Sequence, residues 1–544
     1  MRDKSKDRRT DEPFTEDASE SYEVPDLDHD EVIFEILETP PDGPGEEPEP
    51  PPRPRSPEIP EGEDIPDRFD IAPTRLLDRI DVSAAIEVVR SARVWPAGPA
   101  YSYVNEPSVA RKGNVVFYTG NWYAALSRDG GDTWAFIDPY KAFNPQTGEP
   151  GFCCDQVVVY VPQIDMFVWS LQSKNFALQR ILYASPADVV QGRWKRFTLT
   201  PQNLGVPGGD LDFVDMAVGS GMVYWTCNVF NVATNAVAVR IPHDSLRRGA
   251  PAPQVWKSGS FSLRLAQGCD DVAYFAAHQT KSALRIYAWP ESVNAPTAHV
   301  VSVPTWQRIS TSVTWLQSND SRILGGARIG AEVWFAWTVN SRTGRPYPFV
   351  QIARVDTQRF TYIGSADVWQ QMAAVGYAAL ASNRVTNEVG ISYTVGTNAP
   401  SFAVGILTGT PVHLTVVQGS ATSVNRWGDY LTIRQDYDDN AQPIRTFAAA
   451  GYVRDAAPRT QPRFVEFATT RMRDHVGPLV SDRGGDVDAI TRAAEHLLTN
   501  VVSSLKGDAD ASTAAMDLGL IEFELTVAGV TVKLKVASKE CCKT

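Results

Sequence analysis

Between Trp95 and residue 468 the chain runs through apolar stretches of four to eight residues, rich in Val, Ile, Tyr, Phe and Trp and separated by Gly, Pro, Asn and Asp. Stretches of that length, with turn formers between them and no sustained 3.6-residue period, predict β-strands joined by turns. About 370 residues of this pattern exceed an ordinary sandwich and fall into recurring units, which predicts four-stranded blades around an axis. The units run Val115 to Ile137, Val157 to Leu199, Phe213 to Ile241, Leu263 to Val303, Ile323 to Ile363, Ala373 to Leu414 and Tyr430 to Phe467. The expected fold is therefore an all-β propeller of seven blades, or six if the first unit lends a strand to close the ring with the last.

The pattern changes on both sides of this region. Over residues 71–94, Leu76, Leu77, Ile80, Ala84, Ile86 and Val89 are spaced apolar positions, which predicts a short helical lead-in. Beyond residue 468, the stretch from Asp486 to Ser504 sets Val487, Ile490, Ala494, Leu497 and Val501 on one helical face, with Asp486 as cap and Gly507 after the end. Ile521 to Val527 and Val530 to Val536 then alternate strictly about Ala528-Gly529, a two-residue turn. That register faces Glu522 with Lys535 and Glu524 with Lys533 across the strands. The expected domains are a tail at 1–70, the lead-in at 71–94, the propeller at 95–468 and a small α+β module at 469–544.

Charge separates the tail from the rest. Residues 1–70 hold 24 acids against 8 bases, whereas the whole chain of 544 residues carries −13, so the remainder is close to neutral. With its proline run from Pro48 to Pro60, the tail is expected to be disordered, because it buries too little apolar surface to offset chain entropy. Glu31 to Leu37 is an apolar island within it, suited to docking on a partner. A near-neutral body without a basic stripe argues against nucleic acid. The charged start is not followed by an apolar signal segment, and no run of about 18 apolar residues occurs, so the sequence predicts a soluble cytoplasmic protein with no membrane contact, non-classical export remaining open. The adjacent pairs Cys153-Cys154 and Cys541-Cys542 lack the spacing of a zinc site or a disulfide framework, and no metal or cofactor is expected.

Ser127-Arg128-Asp129-Gly130-Gly131-Asp132-Thr133-Trp134 follows Ser-x-Asp-x-Gly-x-Thr-Trp at every pattern position. These eight residues resemble the Asp-box, or BNR repeat, of sialidase-like β-propellers. Ser185, Asp188, Gly192 and Trp194 form a degenerate echo of it. The resemblance implies that Ser127, Asp129, Gly131, Thr133 and Trp134 fix an outer turn of a blade, away from the axis. The C-terminal module resembles, in outline, small modules that accompany trypsin-like proteases in bacterial gene sets, which implies an adaptor role.

Propeller sites are built where the innermost strands converge, so polar groups at the blade entries are the candidate ligand-binding residues: Glu106, Asp155, Asp212, Asp215, Arg426, Asp429 and Tyr430. Acids at several entries would suit a cation or a polyol, or would simply fix loops. The sialidase resemblance calls for three arginines, a tyrosine assisted by a glutamate, and an aspartic acid. Arg322, Arg384, Arg426 and Tyr430 are available for those roles, but the sequence does not bring them to one axis. Val239-Arg240-Ile241-Pro242 resembles the arginine motif of that family but follows the Asp-box, where the family has it before. No phosphate loop, His-Glu-x-x-His or Gly-x-Ser-x-Gly elbow occurs, and no catalytic residue is nominated. The function expected is a noncatalytic recognition or scaffold propeller binding a protein or a carbohydrate, with the C-terminal module and the tail as protein-binding segments. The alternatives are a glycosidase with a divergent axial acidic site and a structural component of a larger bacterial assembly.

Overall fold

The computed structural model describes residues 16–25, 27, 29–41, 57–67, 71–74, 76–77, 86–95, 104–143, 149–421, 427–454 and 460–469, and the backbone of 520–527 and 530–537. Seven antiparallel sheets form the propeller. Each is a meander whose first strand is innermost: Ser108–Lys112, Phe152–Val161, Asp210–Val218, Arg264–Leu265, Ile323–Ile329, Ala374–Asn383 and Thr432–Tyr437. The core lies between adjacent blades. Trp169, Trp225, Trp256, Trp289, Trp337 and Trp427 are fully buried there, which is where the aromatic area counted in the sequence is used.

The ring closes with a strand from the stretch expected to be helical. Ile86–Arg93 is a β-strand, paired antiparallel with Thr460–Thr469 as the outermost strand of the seventh blade. The correction has a tertiary cause. The last blade supplies only three strands of its own, and β-branched Ile86, Val88 and Val89 fit the open ladder better than a helix. Leu76–Leu77 likewise adds in parallel to Val412–Val417 of the sixth blade.

The expectation of a disordered tail fails for its described parts. Tyr22–Glu23 pairs with the outer strand of the third blade, and His29–Ile33 with that of the second. The apolar island is thus spent within the chain: Phe34 is buried, with its ring 5.3 Å from Trp169 and 5.8 Å from Phe143. Charge explains why an acidic tail binds this ring. Asp30 pairs with Arg196, Glu61 with Lys281, and Asp67 with Arg342 and Arg345 on the perimeter. The pairs made by the exposed acids Asp30 and Glu61 contribute little singly, whereas Asp67 meets Arg345 at a buried position, and together they set the path that the tail follows.

Ser127 to Trp134 joins the third strand of the first blade, Ala124–Ser127, to its fourth, Ala135–Ile137. The Ser127 hydroxyl donates to the Asp129 carboxylate at 2.7 Å and accepts from the Gly131 amide at 2.7 Å. Asp129 in turn accepts from the Asp132 and Thr133 amides at 3.0 and 2.9 Å and from the Thr133 hydroxyl at 2.5 Å. Burial raises the Asp129 pKa, but these bonds together outweigh it and hold the carboxyl at about 2. Gly131 is required here: its φ is +106°, and a Cβ would meet the Phe464 ring at 2.8 Å. Trp134 stacks edge-on against Phe464, and Asp132 pairs with Arg90 of the closing strand, so this turn buttresses the seam between first and last blades. At Ser185 the echo keeps the hydroxyl-to-carboxylate bond, to Asp188 at 2.7 Å, but builds a helical turn, Pro186–Val189, on it.

Leu520–Val527 and Val530–Ala537 form the expected hairpin, with Glu522 opposite Lys535 and Glu524 opposite Lys533. It belongs to a unit separate from the propeller. The helix expected at 486–504 lies outside the described residues.

Candidate functional site

The beginnings of the inner strands gather at one end of the axis. Tyr430, just ahead of the seventh inner strand, donates to the Gln156 carbonyl of the second at 3.2 Å, and the Asp155 and Glu106 carboxylates both act on its phenol. Glu106 exchanges bonds with Asn121: its amide donates to Oδ1 at 2.9 Å and its Oε2 accepts from Nδ2 at 2.9 Å. Asp212 accepts from the Gln172 amide at 3.2 Å. All four nominated residues are buried, Glu106 wholly so. At the mouth Glu106, Asp212 and Tyr430 are therefore held by neighbouring backbone and amides.

Asp215 joins Asp212 on one face through a bulge. Asp212 is paired with Asn228 and Asp215 with Thr226, so three steps on one strand answer two on the other, and Phe213 takes φ 58° to absorb the difference. Strict alternation would have put the two aspartates on opposite faces. Asp215 lies deeper than the mouth acids. It pairs with Arg264 at 2.9 Å, accepts from the Leu265 amide at 2.9 Å, and is the countercharge acting on Arg434.

The tyrosine is set against nucleophilic use. Burial, then Asp155 and Glu106, push its phenol well above the ordinary value, so the phenolate is disfavoured at neutral pH. The arginines do not converge. Arg322 is bound to Asp320 at 2.8 Å and lies over the Phe213 ring at 4.1 Å, whereas Arg384 bonds Asp270 at 3.0 Å and the Cys269 carbonyl at 2.7 Å. Arg426 lies outside the described residues. Asp429 is half-buried beside Tyr430. Arg240 sits in the third strand of its blade and donates to Gln254 at 2.7 Å, off the axis. Cys153 and Cys154, at the start of the second inner strand, are joined by a disulfide. Among the described residues no three His, Cys, Asp or Glu side chains are grouped to hold a metal ion.

The ends of the inner strands line a cavity of about 120 Å³ at the other end of the axis, walled by Arg111, Tyr160, Gln267, Arg384, Arg434 and Tyr437 among others. Arg111 is held by Asp436 at 3.1 Å and by Glu466. Sequence inspection named Arg384 but missed this end, because Arg111, Arg434 and Tyr437 sit inside strands. The signal was available in Arg434-Gln435-Asp436, a polar run within an otherwise apolar strand.

These features define a seven-bladed β-propeller with a buried polar mouth and an arginine-lined opposite end. No protein-family model matches the chain, and no curated protein matches it in sequence. Solved structures similar to it include an α-L-arabinanase from Penicillium chrysogenum, at 8% identity and a TM-score of 0.35, covering 70% of this chain and 98% of that one. Another is the β-propeller domain of the Trilobed protease from Pyrococcus furiosus, at 9% identity and a TM-score of 0.38, covering 66% and 94%. A third is a subtype N10 neuraminidase-like protein from a little yellow-shouldered bat isolate, at 8% identity and a TM-score of 0.34, covering 60% and 100%. Among the described residues no helix is long and apolar enough to cross a membrane.

Proposed function

We propose that this chain is a noncatalytic recognition or scaffold propeller of the sialidase-like, Asp-box-bearing kind, with the C-terminal unit as its protein-binding segment. The observation that carries this is the state of the mouth: Glu106 and Asp212 are buried and bonded to the Asn121 and Gln172 amides, and Tyr430 is a donor with a raised pKa rather than an activated nucleophile. A glycosidase needs two carboxyl groups that reach substrate, whereas Glu106, Asp155 and Asp212 are all buried. The hairpin supports the second half of the proposal, because its register gathers Ile521, Phe523, Leu525 and Val527 with Val530, Val532, Leu534 and Val536 on one face.

The full-length chain should turn over no member of a broad glycoside panel that includes sialosides, and should capture a protein partner that a chain ending at residue 469 does not. Turnover abolished by Glu106→Gln or Tyr430→Phe would replace this function with glycoside hydrolysis. A partner retained without residues 470–544 would move the binding surface to the propeller, and a self-assembled mass on size exclusion would favour a structural component.

A further inference from the structure

Along the axis, two carboxylates serve four guanidinium groups, two of which, Arg384 and Arg434, line the cavity. Asp215 is ion-paired with Arg264 and also acts on Arg434, while Asp270 pairs with both Arg328 and Arg384. Arg111, the third arginine of the cavity wall, is by contrast matched by two acids of its own. Arg434 is the least satisfied of the set. Its Nη1 donates to the Ile433 carbonyl at 3.2 Å, but Nε and Nη2 are buried with no acceptor among the described residues. Those two atoms form one edge of the guanidinium, the fork that takes both oxygens of a carboxylate or phosphate. Burial draws the Arg434 pKa down to about 10, with Asp215 opposing and Arg264 adding, so the group stays charged at neutral pH. A buried guanidinium that shares its countercharge with a second arginine is held at a cost that a bound anion lowers.

We propose that this cavity binds a small oxyanion, a carboxylate or phosphate group, with Arg434 as the bidentate donor and Arg384 as the cation at the rim. The cavity, about 120 Å³, has far more room than one water needs. Nothing in this assignment depends on the role of the acidic mouth.

The test is a titration of the full-length protein with inorganic phosphate and, separately, with acetate, at ionic strength held constant with sodium chloride, followed by melting temperature and calorimetric heat. A saturable response above the chloride control is expected with at least one of them, and the tighter probe tells phosphate from carboxylate. Arg434→Lys keeps the charge without the fork and should weaken binding at least tenfold. Arg384→Gln, at a side chain 40% exposed, should weaken it several-fold in a folded protein, and it keeps the test decisive if the buried substitution does not fold. No saturable response in the wild type, or undiminished binding in the folded variants, overturns the proposal.

Discussion

The two ends of the axial channel carry opposite kinds of polar group and treat them differently. At the mouth, acids and a phenol meet amides and backbone, as Glu106 does with Asn121 and Tyr430 with Gln156. At the other end, guanidinium groups outnumber the carboxylates beside them, and one buried fork has no acceptor among the described residues. A buried polar group with partners rigidifies a fold, whereas one without them is a cost that a ligand can remove. The difference teaches that the richer collection of chemistry-bearing residues need not be the site.

Asp215 and Asp212 test this most severely, since they share a face and differ in partner. Asp215→Asn leaves Arg264 and Arg434 without a countercharge and should cost about 3–5 kcal/mol in denaturant unfolding. Asp212→Asn keeps a side-chain oxygen that accepts from the Gln172 amide and should cost about 1 kcal/mol or less. Equal losses would erase the distinction between the two ends.

Asp436 gives the second test, through pH. Burial lifts its carboxyl far above the ordinary range, with Glu466 adding and Arg111 opposing. A raised folded-state pKa means that the native state holds the proton more tightly, so this group's contribution is full below about pH 4 and lost as pH rises toward 7. Asp436→Asn removes that loss. Its stability relative to the wild type should therefore be higher at pH 8 than at pH 5, by about 1–2 kcal/mol. A difference of the opposite sign would mean that the acid is held as the anion by Arg111.

Much of the fold was legible because blade strands are short, apolar and punctuated, and all seven units begin or end within a few residues of the observed sheets. Ile86–Arg93 was not legible, because its strand character comes from the open edge of the last blade and not from its own period. The tail misled for a related reason. Composition reports what a segment does alone, whereas Asp30, Glu61 and Asp67 find bases on the ring. At the site, Glu106, Asp155, Asp212 and Tyr430 could be singled out by their places at the blade entries, but their burial was not readable from spacing. Asp215 needed a bulge at Phe213, and Arg434 needed the neighbours across the axis.

The Ser127 to Trp134 turn calibrates the scale, since it touches neither end of the channel. Asp129→Ala removes an acceptor of four bonds and should cost about 1–2 kcal/mol, like the loss of a helix cap. The Asp129 carboxyl is held at about 2 in the fold, so its contribution is present above about pH 4 and fades as pH falls toward 2. Thermal melts at pH 7 and pH 3 check both the size and the direction. A larger deficit in the variant at pH 3 than at pH 7 would contradict the assignment.

Tyr430→Phe carries the smallest expected effect and bears most directly on the mouth. The substitution keeps the ring, which lies 6.3 Å from Phe213, and removes only the hydroxyl bonded to the Gln156 carbonyl. That carbonyl also accepts from the Thr119 hydroxyl at 3.4 Å, so it is not orphaned, and the loss should stay near 1 kcal/mol or below. Removing the phenol also relieves the electrostatic conflict with Asp155 and Glu106 at high pH, so the variant should lose less stability than the wild type as pH climbs above 10. The response to phosphate or acetate should be unchanged, because the cavity is at the other end of the axis. If this one hydroxyl instead abolished binding while the melting temperature held, the roles of the two ends would have to be exchanged.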